Sequence, residues 1–157
     1  MAAMKRKKLR LYLDNCCYHR PFDDLTQERI EREADAVHFV LSLSKNGTFI
    51  IVSSIFVDME MNKTPSAIKR RKVLEIYRYD EYHKLNTEIE NAARLFQSCG
   101  LKPFDSLHLA VAEIKQVDCL LTTDDDFIKQ STRFEHKTKV INPYVFIKRE
   151  NDYDLEH

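Results

Sequence analysis

Short apolar runs alternate along this chain with longer stretches whose apolar residues recur every three or four positions. Residues 9–13 (LRLYL) read as a strand, and the polar cluster around Pro21, Asp23 and Asp24 reads as a loop. Asp24 with Gln27 three residues on predicts a capping box, opening a helix with Ile30, Ala34, Val37 and Leu41 on its apolar face. Asn46-Gly47 ends that helix, and residues 49–52 (FIIV) predict a second strand. A helix is then expected from Ile55 to about Met61, and Thr64-Pro65 predicts the cap and first position of another reaching about Tyr79. Thr87 with Glu90 predicts a further capping box, with Ile89, Ala93 and Phe96 on one face and Gly100 as the stop. Pro103 opens a helix whose buried stripe is predicted as Phe104, Leu107, Val111 and Ile114. Residues 119–122 (CLLT) and Val140-Ile141 complete four predicted strands.

Strands alternating with helices predict an α/β protein, an α/β/α sandwich with a mostly parallel central sheet. The 157 residues suit one domain, expected over 5–150. Residues 151–157 then form a tail, in which Leu155-Glu156-His157 read as the start of a purification-tag remnant, and Met4 offers a second start. Only two glycines occur, Gly47 and Gly100, which excludes both the GxGxxG fingerprint and the Walker phosphate loop. No apolar run reaches the ~20 residues of a membrane span, and no signal peptide is seen, so a cytoplasmic protein without membrane contact is expected. The four cysteines lack zinc or disulfide spacing and are expected to be reduced packing residues. A net charge of +0 argues against a broad polyanion-binding surface and leaves local patches for any nucleic-acid partner.

Function in an open parallel sheet collects beyond the carboxyl ends of the strands. Strand one ends on Asp14, and the third predicted strand runs into Thr122-Thr123-Asp124-Asp125-Asp126. The helix after strand two carries Glu60, and the helix from Pro103 carries Asp105 in its first turn. Carboxylates at ~5 Å and an effective dielectric of ~20 repel by about 3 kcal/mol per pair. Their convergence would require a cation, and an oxygen-rich site suits Mg²⁺ or Mn²⁺, the usual equipment of phosphodiester hydrolysis. Each residue also has a plainer reading. Asp14 could be a turn or cap residue, the 124–126 run a helix cap, Glu60 a solvated position, and Asp105 a dipole partner. His108 could be a satisfied core histidine, a ligand or a base.

YLDNCCYHRPFDD, SSIFVDMEMNKTP, KPFDSLHLAVAEI, LLTTDDDFIK and VINPYVFIKRE together resemble the PIN-domain family from about Leu9 to Glu150. These are metal-dependent RNA-cleaving nucleases that include VapC-type toxins of toxin–antitoxin pairs. The resemblance implies catalytic and metal-binding roles for Asp14, Glu60, Asp105 and Asp124, with Asp126 as a supporting acid or helix partner. Asn15 stands where the family commonly has Thr or Ser, and its amide is expected to donate hydrogen bonds in support. Arg20 matches a position often filled by Arg, where it would contact substrate phosphate or tie the loop to an acid. Arg70, Arg71 and Lys72, with the basic run from Lys5 to Lys8, are further candidates for phosphate contact, against a solvated charged face. The expected activity is endoribonuclease cleavage of single-stranded RNA, with an antitoxin protein and a homodimer as expected partners. The rival is a PIN-fold RNA-binding or protein-interaction module without cleavage. An aspartate-nucleophile phosphatase would want a second Asp where Cys16 stands.

Overall fold

The apolar runs assemble into one sheet in a computed structural model that describes residues 7–156, with side chains through 151. Its strands are β1 (Leu9–Leu13), β2 (Phe49–Ser54), β3 (Glu81–His83), β4 (Cys119–Leu121) and β5 (Lys139–Ile141). They lie in the order β3-β2-β1-β4-β5, all parallel. The helices are α1 (Asn15–His19), α2 (Glu28–Lys45), α3 (Ile55–Asn62), α4 (Ala67–Ile76), α5 (Thr87–Ser98), α6 (Pro103–Ile114), α7 (Asp125–Ser131) and α8 (Pro143–Glu156).

Successive side chains of a strand point to opposite faces, which assigns the two layers. Leu9 pairs with Phe49 and Leu11 with Ile51, and Phe49 meets Phe146 of α8 with ring centres 5.6 Å apart. Tyr12 and Val52 point the other way, where Tyr12 meets His108 of α6 at 5.5 Å. Helices therefore cover both faces, as the α/β/α reading requires, and the central strands β1 and β4 are largely apolar. Among the described residues no helix is long and apolar enough to cross a membrane.

β3 was not expected, because its three half-buried residues, EYH, carry no apolar run. α1 and the 3-10 turn Arg20–Phe22 occupy the predicted loop. The expected capping boxes move. Asp24 accepts from the N–H and hydroxyl of Thr26, closing a turn, and Gln27 precedes α2 without a side-chain cap. Asn86, not Thr87, caps α5, and Ser66, not Thr64, caps α4, which ends at Ile76. Thr64 is engaged elsewhere, its hydroxyl 2.8 Å from His19 Nε2.

α6 also differs. Ser106 and the run His108 to Ala112 are buried, whereas Phe104, Leu107 and Ile114 are only partly so. A helix packed against both the sheet and α5 buries most of its circumference, so its periodicity is a poor guide to its inner face. α8 continues through the expected tail boundary at 151.

Candidate active site

The chain passes from β1 outward through β2 to β3, then returns to place β4 on the other side of β1. That is the topological switch point, where neighbouring connections leave in opposite directions and open a crevice. Asp14 stands there, its N–H donating to Leu121 O of β4 at 2.9 Å. Thr122, just past β4, donates its hydroxyl to Asp14 Oδ2 at 2.9 Å and accepts from the Asp124 N–H at 3.1 Å. Asp14 is 5% exposed.

Asp124 is the N-cap of α7. Its Oδ1 accepts from the N–H of Asp126 at 2.9 Å and of Phe127 at 3.3 Å. Asp126 itself is exposed in the first turn of that helix, and Asp125 is bound by Arg29 through two contacts of 2.8 Å. From the other side come Glu60 on α3 and His108 on α6. His108 Nε2 contacts Glu60 Oε1 and lies 3.6 Å from Asp14 Oδ1. Its Nδ1 lies 2.6 Å from the Tyr12 hydroxyl, which is 2.6 Å from Ser54 Oγ, the N-cap of α3. A buried chain from β1 through α6 thus holds Glu60 in place.

One ligand atom each from Asp14, Glu60 and His108 lies within 4.8 Å of the other two. The tightest group is therefore two acids and a histidine rather than four acids. Asp105 and Asp124 stand outside it, yet close enough for their charges to act on one another. Burial lifts Asp14 above the usual carboxylate range, with Glu60 adding to the rise and His108 opposing it. Burial, then the charges of Asp14 and Asp124, push Asp105 up to about 7. Burial alone would lower His108, but contact with Glu60 and the charge of Asp14 outweigh it, and His108 titrates above its ordinary value.

The folded chain therefore holds carboxyl protons that the unfolded chain releases near pH 4. More protons bound in the folded state means stability falls as pH rises from about 4 through about 7, the folded value for Asp105. Asp105→Asn is expected to stabilise the metal-free protein by a margin that grows between pH 5 and pH 8. Denaturant midpoints at the two pH values check this, and a margin that shrinks with pH contradicts it.

Other expected residues fall differently. No hydrogen bond from the Asn15 amide to an acid is found among the described residues, and its Oδ1 is buried without a partner. Arg20 serves the loop: Nη1 donates to Asp23 Oδ2 at 3.1 Å, and Nε lies 3.0 Å from Glu33 Oε1. Arg70 donates to the Thr64 carbonyl at 2.9 Å, and Arg71 is exposed on α4 with no ion pair to an acid among the described residues. Lys72 is likewise exposed. Lys5 and Arg6 lie outside the described residues, while Lys7 and Lys8 precede β1, about 20 Å of extended chain from Asp14.

The sequence reading passed over Tyr12, Ser54, Thr122 as a donor, and Lys63, whose Nζ lies 4.5 Å from the Phe104 ring centre beside Asp105. A tyrosine in a buried strand was the available signal, since its hydroxyl needs a partner. All four cysteines are free; Cys17 donates to Leu121 O, and Cys16 Sγ lies 3.4 Å from Thr122 Oγ1, at the edge of the site.

The PIN-domain family model matches residues 27–131, well over half of the chain. The chain belongs to the PIN-domain family. No curated protein matches this PIN domain by sequence. Among solved structures, that of FitAcB from Neisseria gonorrhoeae is similar with a TM-score of 0.58 and 14% identity, over 85% of this chain and 98% of that one. VapBC2 from Rickettsia felis, bound to a DNA fragment from their promoter, gives 0.57 and 15% over the same shares. At such identities the likeness is one of fold, and it agrees with the parallel α/β/α arrangement of this PIN domain.

Proposed function

We infer that this PIN domain is a divalent-metal-dependent endoribonuclease acting on single-stranded RNA. One observation carries the reading: each of the four acids keeps a carboxylate oxygen that the protein leaves unclaimed. Asp14 Oδ1 has only His108 at 3.6 Å, Glu60 Oε2 and Asp124 Oδ2 have no partner, and Asp105 has none on either oxygen, all among the described residues. Such oxygens, with the orphaned Oδ1 of Asn15 next along the chain from Asp14, fit a hard cation that prefers oxygen.

Asp14, Glu60, Asp105 and Asp124 would hold the ion, Mg²⁺ or Mn²⁺. When bound, such an ion supplies Lewis-acid stabilisation of phosphate charge and acidifies water. The chain's own part is positional. Thr122 fixes one oxygen of Asp14, α7 fixes one of Asp124, and the Tyr12–His108 chain fixes Glu60. The open crevice admits an extended strand more readily than a duplex.

The purified chain is expected to cleave a labelled single-stranded RNA in Mn²⁺ or Mg²⁺, to stop in EDTA, and to spare a DNA of the same sequence. A chain that cleaves nothing with either ion would leave the non-cleaving PIN-fold module standing. We assign the chain, further, as the toxin of a toxin–antitoxin pair, supported by its likeness to the VapBC2 structure. Co-expression with the product of the neighbouring reading frame tests this, a co-purifying and inhibiting partner being the expected result.

A further inference from the structure

Of the cations expected to meet the substrate, Arg20 and Arg70 are engaged by the protein. Lys7 and Lys8 lie far along the chain from Asp14, while Arg71 and Lys72 stand exposed on α4. Two basic surfaces flank the acids. On one side Arg20 and Arg29 stand beside residues 123–126, but Arg29 is neutralised by Asp125 and Glu33, and Arg20 by Asp23 and Glu33. On the other side a pocket of about 200 Å³ opens between the start of α6 and α7. Asp105 and Asp126 line it, together with Lys102, Lys129 and Arg133. Among the described residues none of these three cations has a carboxylate within ion-pair distance, and three cations face two acids there.

The pocket is also organised. Gln130 donates Nε2 to Cys99 O at 3.1 Å, and its Oε1 accepts from Arg133 Nη1 at 3.0 Å. Gly100 makes room for this arrangement. At φ +108 it adopts a conformation that L residues avoid, and a Cβ there would stand 2.3 Å from Gln130 Nε2. α6 begins without a side-chain cap, so the field of its first-turn N–H groups adds to the positive charge at the same end. The volume lies below the ~300 Å³ at which small-molecule sites begin, which suits a phosphate group rather than a whole nucleoside.

We propose that Lys102, Lys129 and Arg133 seat a backbone phosphodiester of the RNA strand adjoining the bond held at the acids. The strand then leaves the crevice between α6 and α7 rather than across α4. The assignment of a neighbouring scissile bond rests on the nuclease reading, whereas the subsite itself requires only that the strand binds.

The test measures binding of a fluorescein-labelled twelve-residue oligouridylate to the full chain carrying Asp14→Asn, without divalent ions, between 50 and 200 mM KCl. Replacing Lys102, Lys129 and Arg133 together by alanine is expected to weaken binding at least tenfold. It should also reduce the slope of log affinity against log salt by about 0.7, the contribution of one phosphate contact on a single strand. Replacing Arg32, Lys139 and Arg149, which line a separate pocket, removes the same charge and is expected to change affinity less than twofold. Circular dichroism melts confirm folding. Equal losses in both variants, or an unchanged slope in the first, overturn the proposal. So does inorganic phosphate or a decaglutamate peptide binding the pocket as tightly as the oligonucleotide. A chain that binds RNA through these residues but never cleaves it refutes the nuclease reading and leaves the subsite intact; a chain that cleaves with unchanged KM in the first variant does the reverse.

Discussion

Asp14→Asn is expected to lower metal-dependent RNA cleavage by about a thousandfold, the size of effect that follows removal of one preorganised charged or polar group from an active site. The same substitution should leave the metal-free protein at least as stable as the parent at pH 8. Asp14 is 5% exposed, and burial resists its ionisation, so the folded state carries a cost at alkaline pH that asparagine lacks. Asparagine keeps the shape and still presents an oxygen to the Thr122 hydroxyl. Mn²⁺ should raise the melting temperature of the parent by mass action and that of the variant far less. Activity lost through unfolding would appear as a lower melting temperature, which separates a damaged fold from a missing ligand. A variant that cleaves at the parental rate would remove Asp14 from the mechanism.

Arg20→Met is expected to destabilise the fold by about 3 kcal/mol, the range for stripping one partner from a buried ion pair. Glu33 is 2% exposed, and Arg20 Nε faces its Oε1 at 3.0 Å without the alignment of a hydrogen bond, so the attraction is chiefly Coulombic. Arg29 at 3.4 Å and Asn142 hold only the other oxygen. Arg20→Met combined with Glu33→Leu should recover most of the loss, because replacing both members by apolar groups is often nearly neutral. Chemical denaturation of the single and double variants measures the coupling, and a double variant as unstable as the single one contradicts the pairing. Cleavage by folded Arg20→Met should stay within a few-fold of the parent. A large rise in KM at unchanged stability would instead return Arg20 to the substrate.

Asp14, Asp105 and Asp124 were legible in the sequence because each ends an apolar run or opens a helix, and those boundaries survive whatever the tertiary contacts do. Glu60, late in α3, was marked only by the family resemblance. Asp14 after LRLYL and Asp124 after CLLTT needed only the rule that parallel strands deliver function at their carboxyl ends. The Tyr12–His108–Glu60 chain was not legible, since it joins residues 48 and 96 positions apart through ring nitrogens whose direction no periodicity encodes. The cations proposed to seat the strand were not legible for a related reason. Clustering in sequence drew attention to Arg70, Arg71 and the Lys5–Lys8 run, whereas Lys102, Lys129 and Arg133 come together only because α6 and α7 meet. Caps slipped by one or two residues wherever two polar residues competed for one helix start, as at Asn86-Thr87 and Thr64–Ser66.

The hydroxyl of Thr122 reaches Asp14 across 108 residues, and the backbone of β4 is what the first residue past β1 leans on. A ribosome making this chain from the amino end therefore releases Asp14 well before the threonine and strand that set it, whereas the Tyr12–His108 chain that holds Glu60 is made earlier. A fragment ending before Cys119 carries three of the four acids but lacks the strand and threonine that set Asp14 and the capped helix start that sets Asp124. The crevice is consequently among the last parts of the molecule to mature, and a prematurely terminated product is a set of acids without a site.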